Sequence, residues 1–324
     1  MIVILTAIAN EAEDWTVNVL DGVENVVWSS SGTGPGPIDI TWDGKVGGSY
    51  VPGIYRLQLS TASSQQLMSA SSTTSLWPVA ISKRSGSVLI TIALRVQMEG
   101  DEAAPIVDIW LKDAESVMDQ CLASGIPFTI IADPQWETGE ASSLIGMGHV
   151  QRKGVKDWLR DPFKCWFHAG HGRWMNGRTF LKFYDRRSGK LVCGDDFQQL
   201  MILPGQYRLV QLNSCNGAGL DSGNLDTSIA EAFGIDDQSE GACFISWCHA
   251  YGDWEYYHGI PYERLNGSGW TRDFWGFFGE EGCTVSAAQS QTLAPPGYWW
   301  LTDRMHEYLV TYGDPGWVFI DDLR

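Results

Sequence analysis

The feature that most constrains this chain is a change in the spacing of its apolar residues near residue 86. Before about residue 64 they come in short alternating runs, "IVILTAIA", "WTVNVLD", "NVVWSSSG", "IDITWDG" and "GIYRLQLS". Turn signals such as "DG", "GTGPGP" and "DGKVGG" separate these runs. Period-2 patterning broken by Gly, Pro and Asp predicts an antiparallel β-sandwich. After residue 86, strand-like and helix-like stretches alternate. "SVLITIALRV", "PFTIIAD", "FKCWFHAG", "RLVQLNSC" and "GACFISWC" read as buried strands. "APIVDIWLKDAESVMDQCLASG" has helical spacing and ends on Gly125 as a C-cap. "VQRKGVKDWLRD" reads as a helix with Gly154 as a weak point inside it, and "DTSIAEAFG" and "TRDFWGFFGEEGCTVSAAQSQTL" are read as helical. That alternation predicts an α/β domain, a mostly parallel sheet with helices on both faces.

The expected organisation is therefore a small all-β domain over 1–64, a connection over 65–85 and an α/β domain over 86–324. The uncharged Ser/Thr-rich run "STASSQQLMSASSTTS", residues 60–75, leads into this connection and fills its first half. A length of 324 residues suits about two domains. The net charge of −17 repels phosphate backbones, so a nucleic-acid role is not expected, while a polypeptide carrying basic residues is a compatible partner. No apolar run reaches the ~18 residues of a membrane span. "MIVILTAIA" has no basic residue before it and "NEAED" after it, so it reads as a strand and not as a secretory signal. The seven cysteines are odd in number and form no C-x-x-C pair, which favours a reduced, cytoplasmic compartment.

Ligands of open α/β sheets bind in loops beyond the strand carboxyl ends. Two predicted strands end there on reactive residues, "CWFHAGHGR" on His171 and "RLVQLNSCNGAG" on Cys215. A cysteine attacks as its thiolate, and a neighbouring imidazole lowers its pKa and later returns a proton to the leaving amine. Gly172 lets a backbone N–H approach a substrate carbonyl and, with the N–H of Cys215, completes an oxyanion hole. His168 reads as structural. Cys165, His168 and His171 form C-x2-H-x2-H, which leaves a metal-dependent hydrolase as a minor alternative, although a fourth ligand at zinc spacing is missing. Cys248, beside the same rim, reads as core packing, with a second thiol role as the alternative. The many Asp residues form no recognisable calcium loop.

The segments "FHAGHG" and "LVQLNSCNGAG" resemble the His and Cys blocks of the caspase-like (clan CD) cysteine peptidases, a group that includes gingipains, separases and CHAT domains. "GACFISWC" and "FWGFFGEEGCTVSAAQ" resemble later CHAT and separase blocks, so the likeness spans roughly residues 86–310. It implies a cysteine endopeptidase with His171 as general base and acid and Cys215 as nucleophile. No cofactor is implied; the partner is a protein or peptide substrate, and an activating partner protein is compatible with the latency common in the group. By analogy with separases, Asp253 lies where a carboxylate selects arginine, with Glu255 beside it, Asp221 as a second candidate, and Trp247, Trp254 and Tyr256 as pocket walls. Solvated loop charges are the plain alternative for Asp253 and Glu255. Three departures leave the subfamily open: N-G-A-G after the cysteine, a long aromatic insert "HAYGDWEYYHGIPYERLNGSGW", and no TPR array. At the other end, Trp42-Asp43-Gly44 followed by Val51-Pro52-Gly53-Ile54-Tyr55 resembles the Ig-like domain of the flagellar-hook-capping type, which implies a docking module. A catalytically silent caspase-like scaffold remains the competing reading.

Overall fold

The computed structural model describes residues 3–9, 14–21, 25–42, 44–50, 53–61, 76–81, 87–93, 103–132, 136, 154–185, 188–248, 267–292 and 308–323. They fall into two compact units that part between Lys83 and Arg84.

The first unit is antiparallel throughout its described residues. Strands β1 (Val3–Ala9) and β4 (Gly36–Trp42) pair with Val3 opposite Trp42. Strands β2 (Asp14–Leu20), β3 (Val26–Thr33), β7 (Gly53–Thr61) and β8 (Leu76–Ile81) form a second sheet in the order β3-β2-β7-β8. A short hairpin joins β5 (Lys45–Val46) to β6 (Ser49–Tyr50). Its Gly47 and Gly48 both have positive φ, which the tight primed turn demands. Alternate residues of three strands bury one core: Val17 and Val19, Ile38, Ile40 and Trp42, Tyr55 and Leu57. Trp42 meets Tyr55 edge to face at 5.2 Å, so the two segments that carry the Ig-like resemblance share that core. Asp43, Val51 and Pro52 lie outside the described residues. The expected connection over 65–85 contributes a strand, because β8 pairs with β7.

The second unit is a mixed α/β structure around a six-stranded sheet. In chain order it runs β9 (Val88–Ile92), α1 (Ala103–Ala123), β10 (Phe128–Ala132), α2 (Val155–Leu159) and β11 (Cys165–Ala169). A small antiparallel sheet follows, β12 (Gly172–Met175), β13 (Arg178–Asp185) and β14 (Ser188–Val192). Then come α3 (Gly194–Gln198), β15 (Leu209–Asn213), α4 (Ser228–Ala232), β16 (Cys243–Trp247), α5 (Gly267–Phe278), α6 (Val285–Thr292) and β17 (Leu309–Gly313). The sheet order is β10-β9-β11-β15-β16-β17; β17 runs antiparallel to β16 and the others are parallel.

Strands β9, β11, β15 and β16 are buried on both faces, which explains their unbroken apolar runs. One face carries Leu89, Trp166, Val210, Leu212 and Phe244 under α2, α3 and α4. The other lies under α1 and α5, where Trp270, Phe274 and Phe278 stack at successive turns. Gly125, at φ +66°, ends α1 as expected. Gly154 is the N-cap of α2 and not an interior residue, so the helix starts one residue after it. The β12–β14 sheet and the antiparallel strand β17 were not foreseen. No helix among the described residues is long and apolar enough to cross a membrane.

Candidate functional site

Strands β11 and β15 are neighbours, and their register pairs Ala169 with Asn213. His171 and Cys215 each stand two residues beyond that pair, so both leave the sheet at the same level. Neighbouring strands run about 4.8 Å apart. The Gly170 N–H donates to the Asn213 carbonyl at 3.2 Å and ties the two strand ends together.

The loops beyond are locked to each other. A Cβ added at Gly172 would fall on the carbonyl oxygen of Cys215, so this position accepts only glycine without a backbone shift. The Thr179 hydroxyl donates to the Asn216 carbonyl at 2.9 Å, and the Thr179 N–H donates to the Asp226 carboxylate at 2.6 Å. The Asn216 amide donates to the Gly219 carbonyl at 3.0 Å, and the Ala218 N–H reaches the Trp247 carbonyl at 3.0 Å. The hairpin after His171 is therefore fastened to the cysteine loop, and that loop is fastened to the end of β16. The Lys182 N–H donates to the His171 carbonyl at 2.8 Å. Alternation along the antiparallel ladder then turns the N–H of Gly172 away from β13.

None of the seven cysteines is joined in a disulfide, and Cys215 is the one that is not buried. Burial pushes the Cys121 thiol up to about 12 and holds the thiols of Cys165 and Cys243 well above the ordinary range. Such thiols are poor nucleophiles because the thiolate is the reactive form. His171 is half-buried, with its ring edge to face on Trp110 at 4.8 Å. Burial, and then the Lys182 ammonium, hold its pKa below the ordinary 6.5. At neutral pH the imidazole is neutral and able to take a proton.

His168 belongs to a different environment. It is fully buried, its Nδ1 lies 2.8 Å from the Thr91 hydroxyl, and burial drives its pKa to about 3. Cys165 and His168 point to opposite faces of β11 by strand alternation. His168 packs on Trp166 and Phe183, whereas Cys165 senses Cys121 and Cys243. The C-x2-H-x2-H spacing thus does not converge on one point. No cluster of three metal-capable side chains occurs among the described residues.

Asp221 closes its own turn, accepting from the Gly223 N–H and the Asn224 amide, each at 2.9 Å. Trp247 is buried against Trp270, ring centroids 5.4 Å apart. Cys248 is buried, and its N–H donates to the Tyr308 carbonyl at 2.8 Å. Asp253 and Glu255, with Trp254 and Tyr256, lie outside the described residues. Sequence reasoning missed Trp110, Thr179 and Asp226. For Thr179 a signal was available: Asn176-Gly177 is a tight-turn dipeptide, and its two positive φ values set the β12–β13 hairpin that carries Thr179.

No protein-family model matches the chain, and no curated protein matches it. Among solved structures, a Bifidobacterium dentium β-glucuronidase complexed with coumarin-3-O-glucuronide aligns at 13% identity and a TM-score of 0.17, over 51% of this chain and 36% of that one. A Dictyoglomus thermophilum β-D-glucuronidase aligns at 10% identity and a TM-score of 0.16, over 69% of this chain and 44% of that one. The chain therefore spans less than half the length of either, and likenesses this slight bear on neither fold nor chemistry.

Proposed function

We propose that this protein is a cysteine endopeptidase whose second unit is a caspase-like domain and whose first is an Ig-like support or docking module. The observation that carries the reading is the placement of Cys215, the one unburied thiol of seven, level with His171 on adjacent parallel strands. In this reading His171 takes the Cys215 proton and the thiolate attacks the scissile carbonyl carbon. The carbonyl π electrons move to oxygen, and the N–H groups of Gly172 and Cys215 hold the resulting anion. Collapse breaks the C–N bond, and the imidazolium returns its proton to the departing amine. The thioester that remains is cut by a water that His171 deprotonates, which frees the acid and restores the thiol.

The test is cleavage of a peptide library varied at the residue before the cut, with wild type and Cys215→Ala compared side by side. Cleavage that vanishes in the variant supports the peptidase. A preference for Arg or Lys favours Asp253 or Glu255 as the pocket carboxylate, and an apolar preference discards the acidic pocket. Absence of cleavage by wild type, also with fresh cell extract present to supply an activating partner, favours the silent scaffold.

A further inference from the structure

Beneath the cysteine loop lies a polar cluster that the reaction just described does not use. Asp113 of α1 is fully buried and is the one buried carboxylate among the described residues. Its Oδ2 accepts from the Asn213 Nδ2 at 2.9 Å, and the same Nδ2 donates to the Thr271 hydroxyl of α5 at 2.6 Å. The Asn213 Oδ1 accepts from the Gln211 amide at 3.2 Å, and the Gln211 Oε1 accepts from the Trp275 indole at 2.8 Å. Both ends of the Asn213 amide are thus engaged, so its plane cannot turn. Packing alone does not call for these groups: the same sheet face carries Ile90, Phe167 and Ile245, and a buried carboxylate bears a desolvation cost that an apolar side chain would not.

The cluster lies where the two reacting loops begin. Asn213 precedes Cys215 by two residues, and its carbonyl accepts the Gly170 N–H from the strand that leads to His171. One turn before Asp113 on the same helix, Trp110 holds the His171 ring edge-on. We infer that Asn213, clamped by Asp113 and Thr271, is a positioning residue for Cys215, so that α1 fixes the placement of both members of the pair. This rests on the Cys215–His171 reading.

The test follows Cys215 itself, with iodoacetamide as probe and the alkylated Cys215 peptide weighed by mass spectrometry, from about pH 5 to pH 9. Wild type should alkylate with an inflection below that of an ordinary thiol, and His171→Ala should move the inflection up. Thr271→Val and Asn213→Ala should move it the same way and slow alkylation about tenfold or more at the acid end, since an unheld thiol loses its partner. Asp113→Asn retains an amide oxygen that accepts from Asn213 and should keep the wild-type profile. Wild-type profiles and rates in Thr271→Val and Asn213→Ala, with circular dichroism showing folded protein, would overturn the inference. If Asn213→Ala does not fold, Thr271→Val decides alone. An ordinary thiol titration in wild type, unmoved by His171→Ala, would instead remove the dyad reading. The high-pH plateau then decides: a slower plateau in Thr271→Val supports positioning, and an equal one ends it.

Discussion

The two faces of the central sheet are equally dry but are built from different materials. Under α2, α3 and α4 the packing is aromatic: Trp166 stacks on Phe233 at 5.3 Å, and Phe197 and Tyr207 close around them. The polar side chains that the strands bury there are His168, neutral at any physiological pH, and the hydroxyls of Thr91, Thr129 and Ser246. Under α1 and α5, residues one position along the same strands carry Gln211 and Asn213 into a hydrogen-bonded cluster with Asp113, Thr271 and Trp275. Apolar packing sets how stable the sheet is, whereas directional hydrogen bonds fix where a strand end points. The difference predicts that damage to the first face costs stability and that damage to the second costs reactivity.

On the proposed peptidase reading the largest effect should come from its dyad: Cys215→Ala or His171→Ala should lower kcat/KM on the order of 10⁴-fold or more with the unfolding midpoint little changed. Next, Gly172→Ala should lower kcat/KM on the order of 10²-fold, because its Cβ must displace the Cys215 carbonyl; near-wild-type turnover would break the close fit of the two loops. On the aromatic face, Phe233→Ala should cost about 3–5 kcal/mol in denaturant unfolding while the rate per folded molecule is unchanged. Thr91→Val strips the partner from His168 Nδ1 and Trp166 Nε1 and should cost about 1–3 kcal/mol by the same measurement.

Two pH effects sharpen the contrast. His168 has a folded pKa of about 3, below the ordinary 6.5, so the unfolded chain binds a proton that the folded one refuses. Its contribution is therefore intact above pH 6.5 and is lost as pH falls toward 3, with a slope of up to about 1.4 kcal/mol per pH unit. His168→Phe should flatten that limb in urea titrations at successive pH values. His171 titrates below 6.5 as well, so the acid limb of kcat/KM should lie below that pH, and Lys182→Gln should move it upward by removing a like charge. An unmoved limb would assign it to another group.

The fold was legible where one element carries its own signal. Buried strands showed as apolar runs, α1 as a helical period with Gly125 at its end, and the first unit as alternation broken by turns. His171 and Cys215 were visible because each ends such a strand. Elements whose reason lies elsewhere in the chain were not visible. Strand β17 is only half-buried and gains its identity by pairing with β16. Strand β8 sits in an uncharged stretch whose role becomes plain beside β7. Nothing in the helical stretch singles out Asp113, yet it is buried and bonded to Asn213 of the sheet.

By itself the sequence determined two patterns of burial and put a histidine and a cysteine at the ends of two strands, because period and strand length are local properties of the chain. Only the tertiary structure decided that these strands are adjacent and in a register that levels the two residues, that Gly172 packs on the Cys215 carbonyl, and that Asn213 is bonded to Asp113 and Thr271. Register and hydrogen-bond partnership depend on residues far apart in the chain: Asp113 and Asn213, in contact at 2.9 Å, are separated by 100 positions.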